Sequence, residues 1–239
     1  PRFASVKFDS PAHRYNAIEL VLRRRGSNWS TLASYRYSRL RGNFEGFYRD
    51  DNGQSDPGIS SLYDFPTNDP TYKSIGVSQL GYGGNITYLG DKNGILPLDR
   101  PHQVKVSGNY LVGTGFNVGV NLNLSSGKPL TPFAANPNYA SPGEIPEAPR
   151  GSGIKTVDGL MMRTPFESQV DLQASYTMKL TKNRRLTFVG DVFNLLNERR
   201  VLNYNQNTEL ESGTPNPDYG KVTQFQAPFA ARVGARFEF

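Results

Sequence analysis

The tightest constraint on this chain is a period of two. Over residues 115–125, Phe116, Val118, Val120, Leu122 and Leu124 fall on one side, and Asn117, Gly119, Asn121, Asn123 and Ser125 on the other. Successive side chains point to opposite faces only in an extended strand. One face of this segment is wholly apolar and the other polar or small. The alternation recurs at 15–23, 29–39, 103–112, 167–180, 185–194 and 229–239, least cleanly at 185–194, where Val189 and Phe193 share the polar side. The chain reads as all-β, with about seven antiparallel strands.

Strand length narrows the class. Most of these segments run to about ten residues, the roughly 9–11 that a tilted strand needs to cross a bilayer, whereas soluble strands average about 5–6. The connections point the same way. Short turns at 24–28, 113–115 and 181–184 alternate with long Gly/Pro/Asn/Asp/Ser-rich segments at about 41–99, 126–165 and 197–222. Transmembrane barrels pair tight periplasmic turns with long extracellular loops, and a soluble sandwich has no reason for strict alternation. The expectation is an antiparallel transmembrane β-barrel segment, its last strand running inward to Phe239.

Charge and aromatic placement supply two checks. An Arg or Lys at the middle of a lipid face costs about 2–4 kcal/mol. From Ile18 to Leu22, from Trp29 to Tyr37 and along the other five segments, the apolar face carries no Asp, Glu, Lys or Arg. The opposite faces carry Glu19, Arg23, Arg36, Lys105, Glu167, Asp171, Lys179, Arg185, Asp191, Arg232, Arg236 and Glu238. A wet interior tolerates these charges; the dry core of a sandwich does not. Trp29, Tyr110, Phe116, Tyr176, Phe237 and Phe239 gather towards the short-turn end, and Tyr35, Tyr37, Phe166 and Phe229 towards the other. Two such belts are what interfacial anchoring requires.

Composition removes other classes. The 239 residues include no cysteine, which excludes disulfide frameworks, thiol catalysis and cysteine-held metal. Mean hydropathy is -0.55, and no run approaches the roughly 18–20 apolar residues of a spanning helix. A net charge of +6 raises nucleic acid, but the basic runs Arg23–Arg25 and Lys182–Arg185 sit at turns and build no binding footprint. His13 and His102 lie in or beside loops, with no metal or triad spacing around them, and Gly113-Thr114-Gly115 opens a strand and not a helix. No catalytic residue and no cofactor is expected. The nearest approach to a metal site is Asp50, Asn52 and Asp56, oxygen ligands at alternating positions. Ser55 and Ser61 stand where a calcium loop needs Gly and Glu, so a calcium loop and a solvated acidic loop both fit. The aromatics Phe44, Phe47, Tyr48, Tyr63, Phe65, Tyr72 and Tyr82 of the first long loop suit either ligand capture or packing against one another.

Several stretches resemble one family. The closing residues 232–239 (RVGARFEF) resemble the C-terminal β-signal of bacterial outer-membrane proteins, with Gly234, Phe237 and Phe239 at its marked positions. Residues 190–201 (GDVFNLLNERRV) resemble the penultimate strand of TonB-dependent receptors. Residues 99–110 (DRPHQVKVSGNY) and 15–46 resemble the same family, in its Oar-like, carboxypeptidase-regulatory-domain branch. The resemblance implies that residues 1–239 are the C-terminal part of a 22-stranded barrel in the bacterial outer membrane. They would lack the plug and signal peptide and be completed by strands outside the chain, with Phe239 the natural C-terminus. It implies energised uptake of a large or scarce solute, with TonB acting through the plug, the barrel-assembly machinery reading the end of the chain, and lipid around the wall. Arg36, Lys105, Asp171, Asp191 and Arg236 would then face plug or solute, or simply hydrate the lumen. The alternative is a structural barrel whose loops dock a surface lipoprotein or a cell-envelope assembly.

Overall fold

The structure, a computed structural model, describes residues 11–46, 48–49, 54–55, 93–135, 142–143, 145–211 and 213–239. Seven long strands dominate: β1 (His13–Arg25), β2 (Trp29–Gly42), β3 (His102–Val112), β4 (Phe116–Ser125), β5 (Glu167–Lys179), β6 (Arg185–Phe193) and β7 (Ala230–Glu238). Each pairs antiparallel with its neighbour in the chain, and the two-residue strand Gly94–Ile95 adds to the end of β2. The sheet is open, with β1 and β7 at its edges. No helix occurs among the described residues.

Register turns seven separate alternations into two continuous faces. Leu22 pairs with Ala33, Ala33 with Val106, Val106 with Leu122, and Leu122 with Val170. A one-residue slip at any pair would mix the faces; none occurs along this row. No element among the described residues covers the apolar face: Ile18 is 68% exposed, Leu20 65% and Val233 88%. Trp29 pairs with Tyr110, and Phe116, Tyr176 and Phe188 follow one another across the short-turn end. Tyr35, Tyr37 and His102 cluster at the other end, where the Tyr35 hydroxyl lies 2.9 Å from His102 Nδ1.

Two expectations need correction. The strands β1 and β2 run further than their sequence periods; the added residues Arg14, Arg24 and Arg41, together with Arg39 at the end of the 29–39 segment, fall on the outer face by register. The face is therefore free of charge in its middle but not at its ends. Backbone pairing continues wherever a partner strand is present, whatever the side chains do, and a long basic side chain at a rim reaches water.

The second correction concerns the long connections. The fully buried apolar side chains lie there and not in the sheet: Leu96, Leu130, Phe133, Ala134, Ala135 and Ile154. Four short ladders organise them: 133–134 with 145–146, 154–156 with 159–161, 201–204 with 222–225, and 209–211 with 214–215. Leu130, Ile154 and Tyr204 form a small core with Met161, Val201 and Tyr219 against it. Leu130 N donates to Met162 O, Gly153 N to Leu130 O, and Phe133 N to Gln206 O. The second and third long connections, with the described end of the first (93–99), thus fold together as a cap at one end of the sheet. Strands of two to four residues are too short to display a period, which is why the sequence reads as loop there.

Candidate functional site

The inner face builds the site. One row of paired residues crosses the whole sheet: Arg25, Ser30, Asn109, Gly119, Gln173, Asp191 and Arg232. Every member is polar or glycine, as the alternation requires of this face. Residues of all seven strands surround a hollow of about 510 Å³. Carboxamides dominate its middle, with Asn109, Asn117, Asn121 and Gln173 lining it. Asn109 Nδ2 donates to Asn117 Oδ1 at 3.3 Å, and Ser30 Oγ donates to Asn109 Oδ1.

Charge enters at one side of the hollow. Asp191 accepts from Gln173 Nε2 at 2.8 Å, and from Arg232 Nε at 2.9 Å and Nη2 at 2.7 Å. The fork of two N–H groups on one carboxylate oxygen fixes the Arg232 plane beside the Phe193 ring, 5.7 Å from its centroid. Asp191 is buried by these neighbours, whereas the Arg232 side chain is 70% exposed into the hollow. The pair is therefore weak in stability terms, and it presents a guanidinium whose position is set from below.

The five candidate residues of the inner face do not form one cluster. Asp171 and Asp191 line the same hollow. Arg36 bonds Gln103, its cross-strand partner, and Lys105 is the next inner residue along β3, opposite Ser34. Arg236 lies at the short-turn rim, 2.8 Å from Glu238. Arg25 and Arg232, which share the row with Asp191, belong to the site as well; their parity marks them, but nothing in the sequence singles them out from other inner charges. Asp50, Asn52 and Asp56 lie outside the described residues, as do Phe47, Tyr63, Phe65, Tyr72 and Tyr82; Tyr48 is described in its backbone only.

The closing residues sit in an unusual packing state. Gly234 lies on the inner face opposite Val189, and a methyl group there would meet nothing within 4 Å. Phe237 is 51% exposed and Phe239 95%, their rings 6.1 Å apart. Packing within the described residues demands none of these three.

The Phe193-Asn194-Leu195-Leu196-Asn197 segment does have a local cause. Asn194 and Asn197 have φ of 48° and 50°, a left-handed conformation that Asn tolerates better than other side-chain-bearing residues. The buried Asn194 amide donates to Glu198 O at 2.9 Å and Ala227 O at 2.8 Å, and accepts from Glu198 N at 3.1 Å. Its backbone N donates to Asp171 Oδ1 at 2.9 Å. Asn197 Oδ1 accepts from Phe229 N. Two asparagines thus lock β5, the end of β6 and the entry to β7. Asn194→Ala should destabilise this corner by about 2–3 kcal/mol, from lost hydrogen bonds and left-handed strain together. Asn194→Gly, which keeps the backbone easy, should cost less. Hydrogen exchange at 194–200 and 226–229 separates the two; equal protection in the parent and both variants would refute the lock.

An open meander with an uncovered apolar face and a polar hollow on the other side is the architecture of a β-barrel wall segment. The comparisons with known proteins agree with that class. Over 216 residues the chain is 30% identical to the TonB-dependent transporter Oar of Myxococcus xanthus, which places it in relation to the TonB-dependent receptors. The match covers 88% of this chain but 18% of that protein, so the chain spans less than a fifth of the relative's length. No family model matches the chain, and no solved structure does.

Proposed function

We propose that this chain is the C-terminal part of the barrel wall of an outer-membrane TonB-dependent transporter, energised to take up a large or scarce solute. One observation carries the reading: the same face of all seven strands is apolar through its middle and uncovered among the described residues, while the opposite face lines a polar hollow. An uncovered apolar sheet in water is an aggregation hazard, and in hydrocarbon it is at rest. Open edges are not viable in lipid, so further strands of the full-length protein join β1 and β7. The inner charges then face the lumen, towards a plug or a passing solute, and the cap crowns the extracellular end. Phe237 and Phe239, unclaimed by packing, are left for the barrel-assembly machinery to read. The wall supplies no catalysis.

Residues 1–239 contain no cysteine, so cysteines placed among them, with any elsewhere in the full-length protein replaced, test the topology. In the full-length protein in intact cells, Val157→Cys, at a cap position 98% exposed, should react with a membrane-impermeant maleimide. Lys182→Cys, in a short turn, should react only after the outer membrane is opened. Equal labelling of both in intact cells would refute the orientation. Binding of the full-length protein to the periplasmic domain of TonB is the result expected of a transporter. Its absence would favour the other reading, a barrel whose folded cap docks a surface partner.

A further inference from the structure

The outer face carries charge where a lipid wall needs it least, and the placement is specific. Arg14 and Arg41 are direct cross-strand partners, and Asn16 pairs with Arg39. All four residues line one hollow of about 490 Å³ beside Ala12, Gly42, Asn93 and Gly94, with no carboxylate in its lining among the described residues. The three arginines are exposed. Like charges directly opposite one another in a sheet are destabilising. Asp99, in the cap, is turned instead to Leu40 and Arg163. Arg39 is held by its Nε, which donates to the Tyr37 hydroxyl at 3.1 Å, with the guanidinium 5.9 Å from that ring's centroid.

Height along the strand decides what meets this hollow. Tyr35, Tyr37 and His102 form the aromatic cluster at the long-connection end. Arg39 and Arg41 lie two and four residues beyond Tyr37, about 7 and 14 Å along the strand at about 3.4 Å per residue. Aromatic belts sit at the level of the headgroups. The cluster therefore stands just above the hydrocarbon, on the side away from the lumen.

We propose that Arg14, Arg39 and Arg41 form a binding site for the phosphate groups of a phosphorylated glycolipid in the outer leaflet. A phosphate between Arg14 and Arg41 would convert a repulsive cross-strand pair into two charge-assisted contacts, and the planar guanidinium suits two-point recognition of phosphate oxygens. The carboxamide of Asn16 adds a donor for sugar or phosphate oxygen. The site rests on the membrane-barrel reading given above.

The test uses the full-length protein in detergent, with lipid A bearing both phosphates, the same lipid dephosphorylated, and inorganic phosphate as competitor. The phosphorylated lipid should bind and the dephosphorylated one should not, and millimolar phosphate should fail to displace it. Each arginine near an anionic headgroup contributes about fivefold, so the triple variant Arg14→Gln/Arg39→Gln/Arg41→Gln should bind about a hundredfold more weakly. Arg41→Gln alone, the milder change should the triple variant not fold, should bind about fivefold more weakly. Lys182→Gln at the opposite end should bind as the parent does. Heat-modifiable mobility reports the barrel separately: a parent protein without it overturns the barrel reading. With the barrel intact, unchanged binding by the arginine variants, equal binding of dephosphorylated lipid, displacement by inorganic phosphate, or an equal loss in Lys182→Gln overturns the site.

Discussion

Val120→Arg should destabilise the full-length protein in a bilayer by about 2–4 kcal/mol, while Asn121→Arg, one residue further on, should cost less than about 1 kcal/mol. Both side chains belong to β4, well inside the sheet. Val120 lies on the outer face between Gly108 and Leu172, and Asn121 on the inner face between Ser107 and Asp171. Phe116 marks the aromatic belt on one side of Val120, and His102 marks the height of the other. An arginine at position 120 therefore sits mid-way between the belts, where neither rim is within easy reach of its side chain. An arginine at 121 points into the hollow, beside a carboxylate, and stays wet. Unfolding in urea from lipid vesicles measures the difference directly. Equal costs at the two positions would refute a hydrocarbon-facing outer surface.

How much of this was legible in the residues depends on the length scale of the signal. The ladder of Asn117, Asn121 and Asn123 against Val118, Val120, Leu122 and Leu124 is a ten-residue repeat, and the structure places it as β4 (Phe116–Ser125). The turns Gly113–Gly115 and 181–184 are likewise where their composition puts them. Strand ends are less visible. Arg14, Arg39 and Arg41 break the apolar pattern, so the period stops short while the backbone ladder continues. The cap was hidden for a different reason: Leu130, Ile154 and Tyr204 meet across as many as 74 residues of chain, and no local window contains such a contact. The polar row of the site falls between these cases. Parity shows that Asp191 and Arg232 face the same way, but only the register of β6 against β7 makes them neighbours. The 99–110 stretch shows the same limit. Its likeness to the family is visible in the letters, yet the reason for its first residue emerges only once the cap is folded.

That first residue is Asp99, and its removal should loosen the cap while leaving the sheet intact. Its side chain is fully buried, accepting from Leu40 N at 2.6 Å and from Arg163 Nη2 at 2.5 Å. Arg163 Nη1 donates in turn to Asp99 O and Gly127 O, each at 3.0 Å. One carboxylate thereby joins the end of β2, the segment entering β3 and the connection between β4 and β5. Beside it, Arg100 bridges Ser126 O and Glu167. Deeper in the cap, Arg150 pairs with Glu45 and lies 4.7 Å from the Phe133 ring centroid. Burial pulls the Arg150 guanidinium down to about 9, which still leaves it charged at neutral pH. Breaking a buried ion pair from one side costs about 3–5 kcal/mol. Arg163 is 24% exposed, so water recovers part of the loss, and Asp99→Ala should cost about 3 kcal/mol of local stability. Asp99→Asn retains an acceptor for Leu40 N and should cost roughly half as much. Amide exchange should accelerate over 93–101 and 126–166 by the corresponding factor, while the amides of β4 and β5 keep their protection. Uniform acceleration across sheet and cap would mean that the two unfold as one unit, and unchanged exchange in the cap would show that the Asp99–Arg163 pair does not hold it.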